Sequence, residues 1–302
     1  MAAAWTLADM PSQLGRVALV TGANRGLGWH IADALAGAGA HVVMACRDAN
    51  RAEAAASAIR SRHPAARLEI LPLDLASLAS VRQCAERFGE QHPRLDLLIH
   101  NGAAILVPKG QTLDGFETHL GVNHFAPFVL TGLLLDHLQT APSARVVNTA
   151  SLAHRLTPGL DLSDPNFEHR PYKDMDAYGA SKIAALLFTL ELDRRLQRAG
   201  SKIVAATAHP GYSNTNPETG GFWLRLATRL FAQKPGIGAL PALYAATAAE
   251  VRGNDYFGPG GFKELGGSPK RVGMRDEAKD PQLAAQLWDL SERMTGIRYL
   301  NL

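Results

Sequence analysis

Short apolar runs alternate with longer stretches of helical period through residues 15–210. The runs at 17–20, 41–45, 68–71, 95–99, 144–148 and 202–206 are four or five residues long and dominated by Val, Ile, Leu and Ala. Runs of that length and content read as strands buried on both faces. Helical patterns occupy 26–38, 49–62 and 77–91 between them. Strand, helix and strand in repetition mean βαβ units and a parallel sheet. Right-handed crossovers wind the helices onto both faces, so the predicted fold class is α/β, a doubly wound parallel sheet whose ligands lie at the carboxyl ends of the strands. With no repeat or low-complexity linker, the whole span 1–302 is expected to be a single domain.

Two stretches depart from the alternation. Residues 152–176 are rich in Pro, Asp and His and read as a loop beside the site. In 211–235, Phe222, Trp223, Leu226, Leu230 and Phe231 share a helical face with Arg225 and Arg229 opposite. That face packs on the core, covers the site as a mobile apolar lid, or, least in keeping with its short length, rests on a membrane surface. The tail, about 255–302, reads as a C-terminal extension.

Composition narrows the function. A hydrophobic share of 46% with 20% charged residues is ordinary for a soluble globular chain. The net charge of +3 is small and its Lys and Arg are scattered, which argues against nucleic-acid binding. Cys46 and Cys84 offer neither metal spacing nor a disulfide framework, so no metal is expected and both read as small buried groups. The first residues lack a basic and an apolar leader region, and no apolar stretch reaches the ~18 residues of a membrane span. The expectation is a cytoplasmic protein with a small-molecule substrate; a homo-oligomer is compatible with the sequence, which does not specify one.

Candidate chemistry begins at Thr21-Gly22-Ala23-Asn24-Arg25-Gly26-Leu27-Gly28, between the first strand and first helix. Glycines there let the backbone turn sharply and approach a pyrophosphate, and the helix start offers unpaired N–H groups and a positive dipole end. An NAD site of this kind carries an acid near the end of the second strand. Here Arg47 stands in that place, and a guanidinium suits a 2′-phosphate that a carboxylate would repel. Arg25 supplies a second clamp, while Asp48 reads as the N-cap of the next helix. NADP(H) is therefore expected over NAD(H).

Downstream, Tyr178-Gly179-Ala180-Ser181-Lys182 places a phenol and an ammonium on one helix face. A phenol titrates near ~10 and a neighbouring cation should lower that value, making Tyr178 a proton carrier. Taken alone, the pair also fits a core tyrosine with a solvated lysine. Ser151, at the end of the fifth strand, is either a donor to a substrate carbonyl oxygen or a turn residue. Asn123, in a predicted helix, either kinks that helix and holds a water or is an ordinary surface residue.

These residues in this order resemble the short-chain dehydrogenase/reductase family, in the branch with Thr-Gly-x-x-x-Gly-x-Gly and Tyr-x-x-x-Lys motifs, over roughly residues 15–215. The resemblance implies a Rossmann-type sheet and a catalytic tetrad of Asn123, Ser151, Tyr178 and Lys182, with Tyr178 and Lys182 also meeting the coenzyme. It places Gly22, Asn24, Arg25, Gly26, Leu27, Gly28, Arg47, Asp74, Leu75, Asn101 and Gly102 along the adenosine and phosphate side. Pro210, Gly211 and Thr215 match the segment that meets the nicotinamide carboxamide. One departure is His100-Asn101-Gly102-Ala103, where the family commonly reads Asn-Asn-Ala-Gly. The interval from Ser151 to Tyr178 and the tail Gly258-Pro259-Gly260-Gly261-Phe262-Lys263-Glu264-Leu265 look most like retinol dehydrogenase-like members. The expected activity is interconversion of a ketone or aldehyde with an alcohol by hydride transfer. Its rivals are an epimerase or dehydratase on the same scaffold and an NADP-sensing protein without chemistry.

Overall fold

A computed structural model describes residues 4–211 and 235–300. Eight strands form one sheet in the order β3-β2-β1-β4-β5-β6-β7-β8: β1 (Val17–Thr21), β2 (His41–Cys46), β3 (Arg67–Pro72), β4 (Leu97–His100), β5 (Arg145–Thr149), β6 (Val204–Ala208), β7 (Tyr256–Pro259) and β8 (Pro269–Arg271). Neighbours from β3 to β7 are parallel, and β8 is antiparallel to β7. The chain order reverses between β1 and β4, where a doubly wound sheet opens a crevice for ligands.

Period-two burial explains why the runs are strands. In β1, Leu19 points into one core while Ala18 and Val20 point into the other. In β2, Val43 and Ala45 join the first core; Val42, Met44 and Cys46 join the second. Both faces are thus apolar, as a parallel sheet covered by helices requires. Helices α1 (Gly26–Gly37) and α2 (Ala49–Arg62), with Leu240–Thr247, cover one face. Helix α3 (Leu78–Gln91), the segment Ala126–Leu133, the long helix Asp174–Arg198 and the C-terminal helix Pro281–Thr295 cover the other. Cys46 and Cys84 are free and buried, and burial pushes their thiols up to about 11 and about 12.

All six expected strands are present, with edges moved by one or two residues. At the entrance to β4, the Asp96 carboxylate accepts from the Val17 N–H at 2.9 Å and from Arg94 at 3.2 Å, while its backbone bonds to Val17 and Arg145 on either side. The register of β6 follows from β5, with Arg145 opposite Val204, which moves that strand to 204–208. Strands β7 and β8 were not anticipated. Gly258 and Pro259 interrupt any apolar alternation, and Pro is tolerated at a strand end where few ladder bonds are asked of it. Among the described residues, no helix is long and apolar enough to cross a membrane.

Candidate active site

The glycine turn lies at the carboxyl end of β1, beside the end of β4. Gly22 and Gly26 have φ of 67° and 55°, a backbone region that glycine enters without steric cost. A Cβ on Gly28 would fall 2.3 Å from the Gly22 carbonyl oxygen, and one on Gly22 would fall 2.8 Å from the Gly102 Cα. Two chain segments therefore meet with no space between them. Thr21 fastens the junction, its hydroxyl accepting from the N–H groups of Asn101 (3.0 Å) and Gly102 (2.9 Å). Asn101 returns a bond from its amide nitrogen to the Thr21 carbonyl at 3.0 Å. This accounts for the inverted order at 102–103: Gly102 supplies the close approach, and Leu75 packs over it so that a Cβ there would fall 2.8 Å from Leu75 Cδ1.

Helix α1 begins at Gly26 with no side-chain cap from Arg25, which leaves first-turn N–H groups facing outward. Arg25 and Arg47 are exposed, and among the described residues neither guanidinium has an ion pair or side-chain hydrogen bond. Asp48 is committed elsewhere, accepting from the Arg51 N–H at 3.0 Å as the N-cap of α2. Asp74 closes a local turn by accepting from the Ala76 N–H at 3.0 Å. Open donors at a glycine turn, with the exposed Arg25 and Arg47 beside it, fit a dinucleotide's phosphates. Leu27, Asn101, Thr149, His209 and Pro210 line a narrow cleft beside this turn. Asn24 lies on the turn itself, and Leu27 in the first turn of α1. Thr215 and most of the expected cover 211–235 fall outside the described residues.

Tyr178 and Lys182 occupy the early turns of the helix Asp174–Arg198, which brings both to the end of β5. Tyr178 is 8% exposed and Lys182 is 3% exposed. Lys182 Nζ donates to the Thr149 carbonyl at 2.9 Å and lies 5.5 Å from the Tyr178 ring centroid. Burial pushes the Tyr178 phenol above its ordinary value, while the Ser151 hydroxyl beside it works the other way. Burial also lowers the Lys182 ammonium to about 7. This corrects the sequence expectation that Lys182 lowers Tyr178: both groups are removed from water, and desolvation disfavours the charged form of each. Ser151 is the N-cap of the turn Leu152–Arg155, its Oγ accepting from the Ala153 N–H at 3.2 Å.

Asn123 is buried, not a surface residue, and sits in a π-helical stretch, Gly121–Phe125. Such widened turns release backbone groups and recur at functional sites. Its side chain accepts from the Ala104 N–H (2.8 Å) and donates to the Ala104 carbonyl (2.9 Å) and to Ser181 Oγ (2.9 Å). Asn123 thus clips the loop after β4 to the helix that carries Tyr178. Asn123, Ser151, Tyr178 and Lys182 all lie at this end of the sheet.

Sequence reasoning passed over two polar networks here, the first of them buried. His119 accepts from the Val107 N–H at Nε2 (3.2 Å), so its Nδ1 proton faces Glu117 (2.9 Å), and its ring lies 5.8 Å from that of Tyr178. Burial alone would raise the Glu117 carboxyl, but hydrogen bonds from the His119 side chain and from the His119 and Leu120 N–H groups hold it below the ordinary range. The second network joins His209, Glu264 and Arg155. Adjacent histidine in His209-Pro210-Gly211 was the available signal. Far from the site, near the starts of β2 and β3, His41, Glu69 and His92 bring three donors within 4.8 Å; there His92 hydrogen-bonds Glu69 at 2.8 Å.

Residues 16–162 match the family described as short chain dehydrogenase. Retinol dehydrogenase 13 from Mus musculus is 37% identical over 294 residues, covering 94% of this chain and 84% of its own. Among solved structures, an uncharacterized protein from Mycobacterium Paratuberculosis shares 41% identity with a TM-score of 0.82, over 98% of this chain and 99% of that one. A short chain dehydrogenase from Burkholderia cenocepacia, solved in complex with NADP, shares 28% identity with a TM-score of 0.63, over 80% of this chain and 95% of that one. With its sheet order, glycine turn and tyrosine–lysine pair, the chain belongs to the short-chain dehydrogenase/reductase family of oxidoreductases and is retinol dehydrogenase-like.

Proposed function

We propose that this protein is an NADP(H)-dependent carbonyl reductase or alcohol dehydrogenase acting on a bulky apolar or aromatic substrate. The observation that carries the reading is the buried Tyr178 phenol, with the Ser151 hydroxyl beside it and the Lys182 ammonium 5.5 Å from its ring centroid. A bound nicotinamide coenzyme supplies or receives the hydride. Ser151 donates to the substrate oxygen as negative charge builds there. Tyr178 delivers its proton to the same oxygen in the reduction direction. A phenol raised by burial stays protonated at neutral pH, which suits the acid role. Lys182, lowered to about 7, retains a share of ammonium at that pH and favours the phenolate left behind. Asn123 holds the loop and helix that bound this reacting group.

Coenzyme preference rests on the exposed Arg47 and Arg25, whose guanidiniums have no ion pair among the described residues, with the NADP-bound relative as further support. The apolar substrate class rests on the retinol dehydrogenase likeness and on the Phe222, Trp223, Leu230 and Phe231 pattern. A panel of ketones and aldehydes, followed by NADPH absorbance, tests the reading. Tyr178→Phe is expected to bind NADPH normally and to lose turnover by roughly 10³-fold, within the range for removal of a general acid. An unchanged rate overturns the assignment, and equal dissociation constants for NADPH and NADH overturn the coenzyme choice.

A further inference from the structure

Two loops flank the reacting tyrosine. One follows β5 and carries Ser151 and Arg155; the other follows β6 and carries His209, Pro210 and Gly211. A third segment, around Glu264 in the C-terminal extension, bonds to both. Lys263 and Glu264 adopt left-handed backbone in succession, with φ of 49° and 58°. Residues with a Cβ take that conformation at a cost and keep it only where their surroundings over-determine it.

The surroundings here are specific. Gly211 donates its N–H to His209 Nδ1 at 3.1 Å, so the ring proton resides on Nε2 and is given to Glu264 Oε2 at 3.1 Å. Arg155 reaches the same carboxylate, with a guanidinium nitrogen 3.0 and 3.2 Å from its two oxygens. His209 is 1% exposed, and burial lowers its imidazole to about 3, so it is neutral at every working pH. The packing has no slack. A Cβ on Gly258 would fall 2.0 Å from His209 Nε2, and one on Gly211 would fall 2.7 and 2.8 Å from the carbonyl oxygens of Glu264 and Leu265.

We propose that Glu264 is a positioning residue: through His209 and Arg155 it locks the His209–Gly211 segment to the Ser151 turn, and so sets where the nicotinamide half of the coenzyme lies relative to Ser151 and Tyr178. The inference rests on the coenzyme reading given under Proposed function. Glu264 acts through His209 and Arg155, so its effect is geometric. A displacement of about 1 Å at a reacting centre costs up to ~10²-fold in rate.

The test separates the two halves of the coenzyme. Dissociation constants for NADPH and for ADP-ribose 2′-phosphate, which lacks nicotinamide, are measured with kcat in the wild type, Glu264→Ala and Glu264→Gln. The alanine variant is expected to bind the fragment normally, to bind NADPH about tenfold more weakly, and to lose ~10–100-fold in kcat. Glutamine retains an oxygen for the His209 proton and is expected to recover most of both losses. Should the alanine variant fail to fold, glutamine alone carries the test, with NADPH weakened about threefold and the fragment unmoved, the expected mark of a partly loosened clamp. Unchanged NADPH affinity and kcat overturn the inference, as does equal weakening of NADPH and fragment, which would mark a purely structural role. A wild type that binds no nicotinamide coenzyme at all defeats the underlying reading instead, and this inference with it.

Discussion

The turn after β1 and the turn after β7 are both built on glycine, yet they put it to opposite uses. At Gly22, Gly26 and Gly28 the missing side chains let backbone meet backbone and leave helix N–H groups and two arginines turned outward. At Gly258, Gly260 and Gly261 the space and the donors are consumed within the protein: His209 fills the first, and the other two donate to Ser268 (2.7 Å) and Gly266 (2.8 Å). One region has its donors to spare and is shaped for a guest; the other is closed upon itself. A glycine-rich motif therefore signals close approach, and only the neighbouring donors tell whether the thing approached is a ligand or the chain.

That contrast can be broken by substitution. Gly28→Ala meets a backbone carbonyl that has no means of withdrawing, so a loss of about 3 kcal/mol is expected in denaturant unfolding, the upper part of the range for overpacking. Removing the Asn101 side chain as well should leave that loss in place. Gly258→Ala meets the tip of a side chain, and its loss of about 2 kcal/mol should largely vanish in the double variant with His209→Ala. Rescue in the first case, or none in the second, would erase the distinction.

Lys182 sharpens it from another side, because its desolvation is an unrelieved cost of the open region. The lysine is protonated up to about 10.5 in the unfolded chain but only to about 7 when folded, so the unfolded chain holds more protons between those values. Stability from this group consequently rises with pH across that window. Relative to Lys182→Met, the wild type should gain about 2 kcal/mol between pH 7 and pH 9, measured by chemical unfolding at each pH. A pH-independent difference would mean that the ammonium is not desolvated. The smallest effect is expected at the exposed rim, where Arg47→Ala should weaken NADPH about tenfold, or ~1.4 kcal/mol, and leave NADH unaffected. Equal weakening of both would remove Arg47 from 2′-phosphate recognition.

The legibility of the chain follows the same division. Strands β1 to β6 were visible because a sheet covered on both faces demands unbroken apolar runs, as at Val42, Val43 and Met44. Asp48 as an N-cap was visible because capping depends on neighbours in sequence. Glu117 and His119 were not, since their importance comes from lying beneath Tyr178, far along the chain. The electrostatic expectation for Tyr178 misjudged the balance for a related reason: spacing of four residues announces a nearby cation but carries no information on how deeply both groups are buried.

By itself, the sequence determined the doubly wound sheet, the glycine turn and the placing of Tyr178 and Lys182 on one helix face, because period, turn chemistry and helical spacing are local properties written in consecutive residues. The tertiary structure alone decided that β7 and β8 extend the sheet, that Gly102 is the partner of Gly22, that Asn123 clips a loop to the tyrosine helix and that Glu264 stands between two loops. Those outcomes depend on distances between segments remote in sequence and on exclusion of water, and neither quantity exists until the chain has packed.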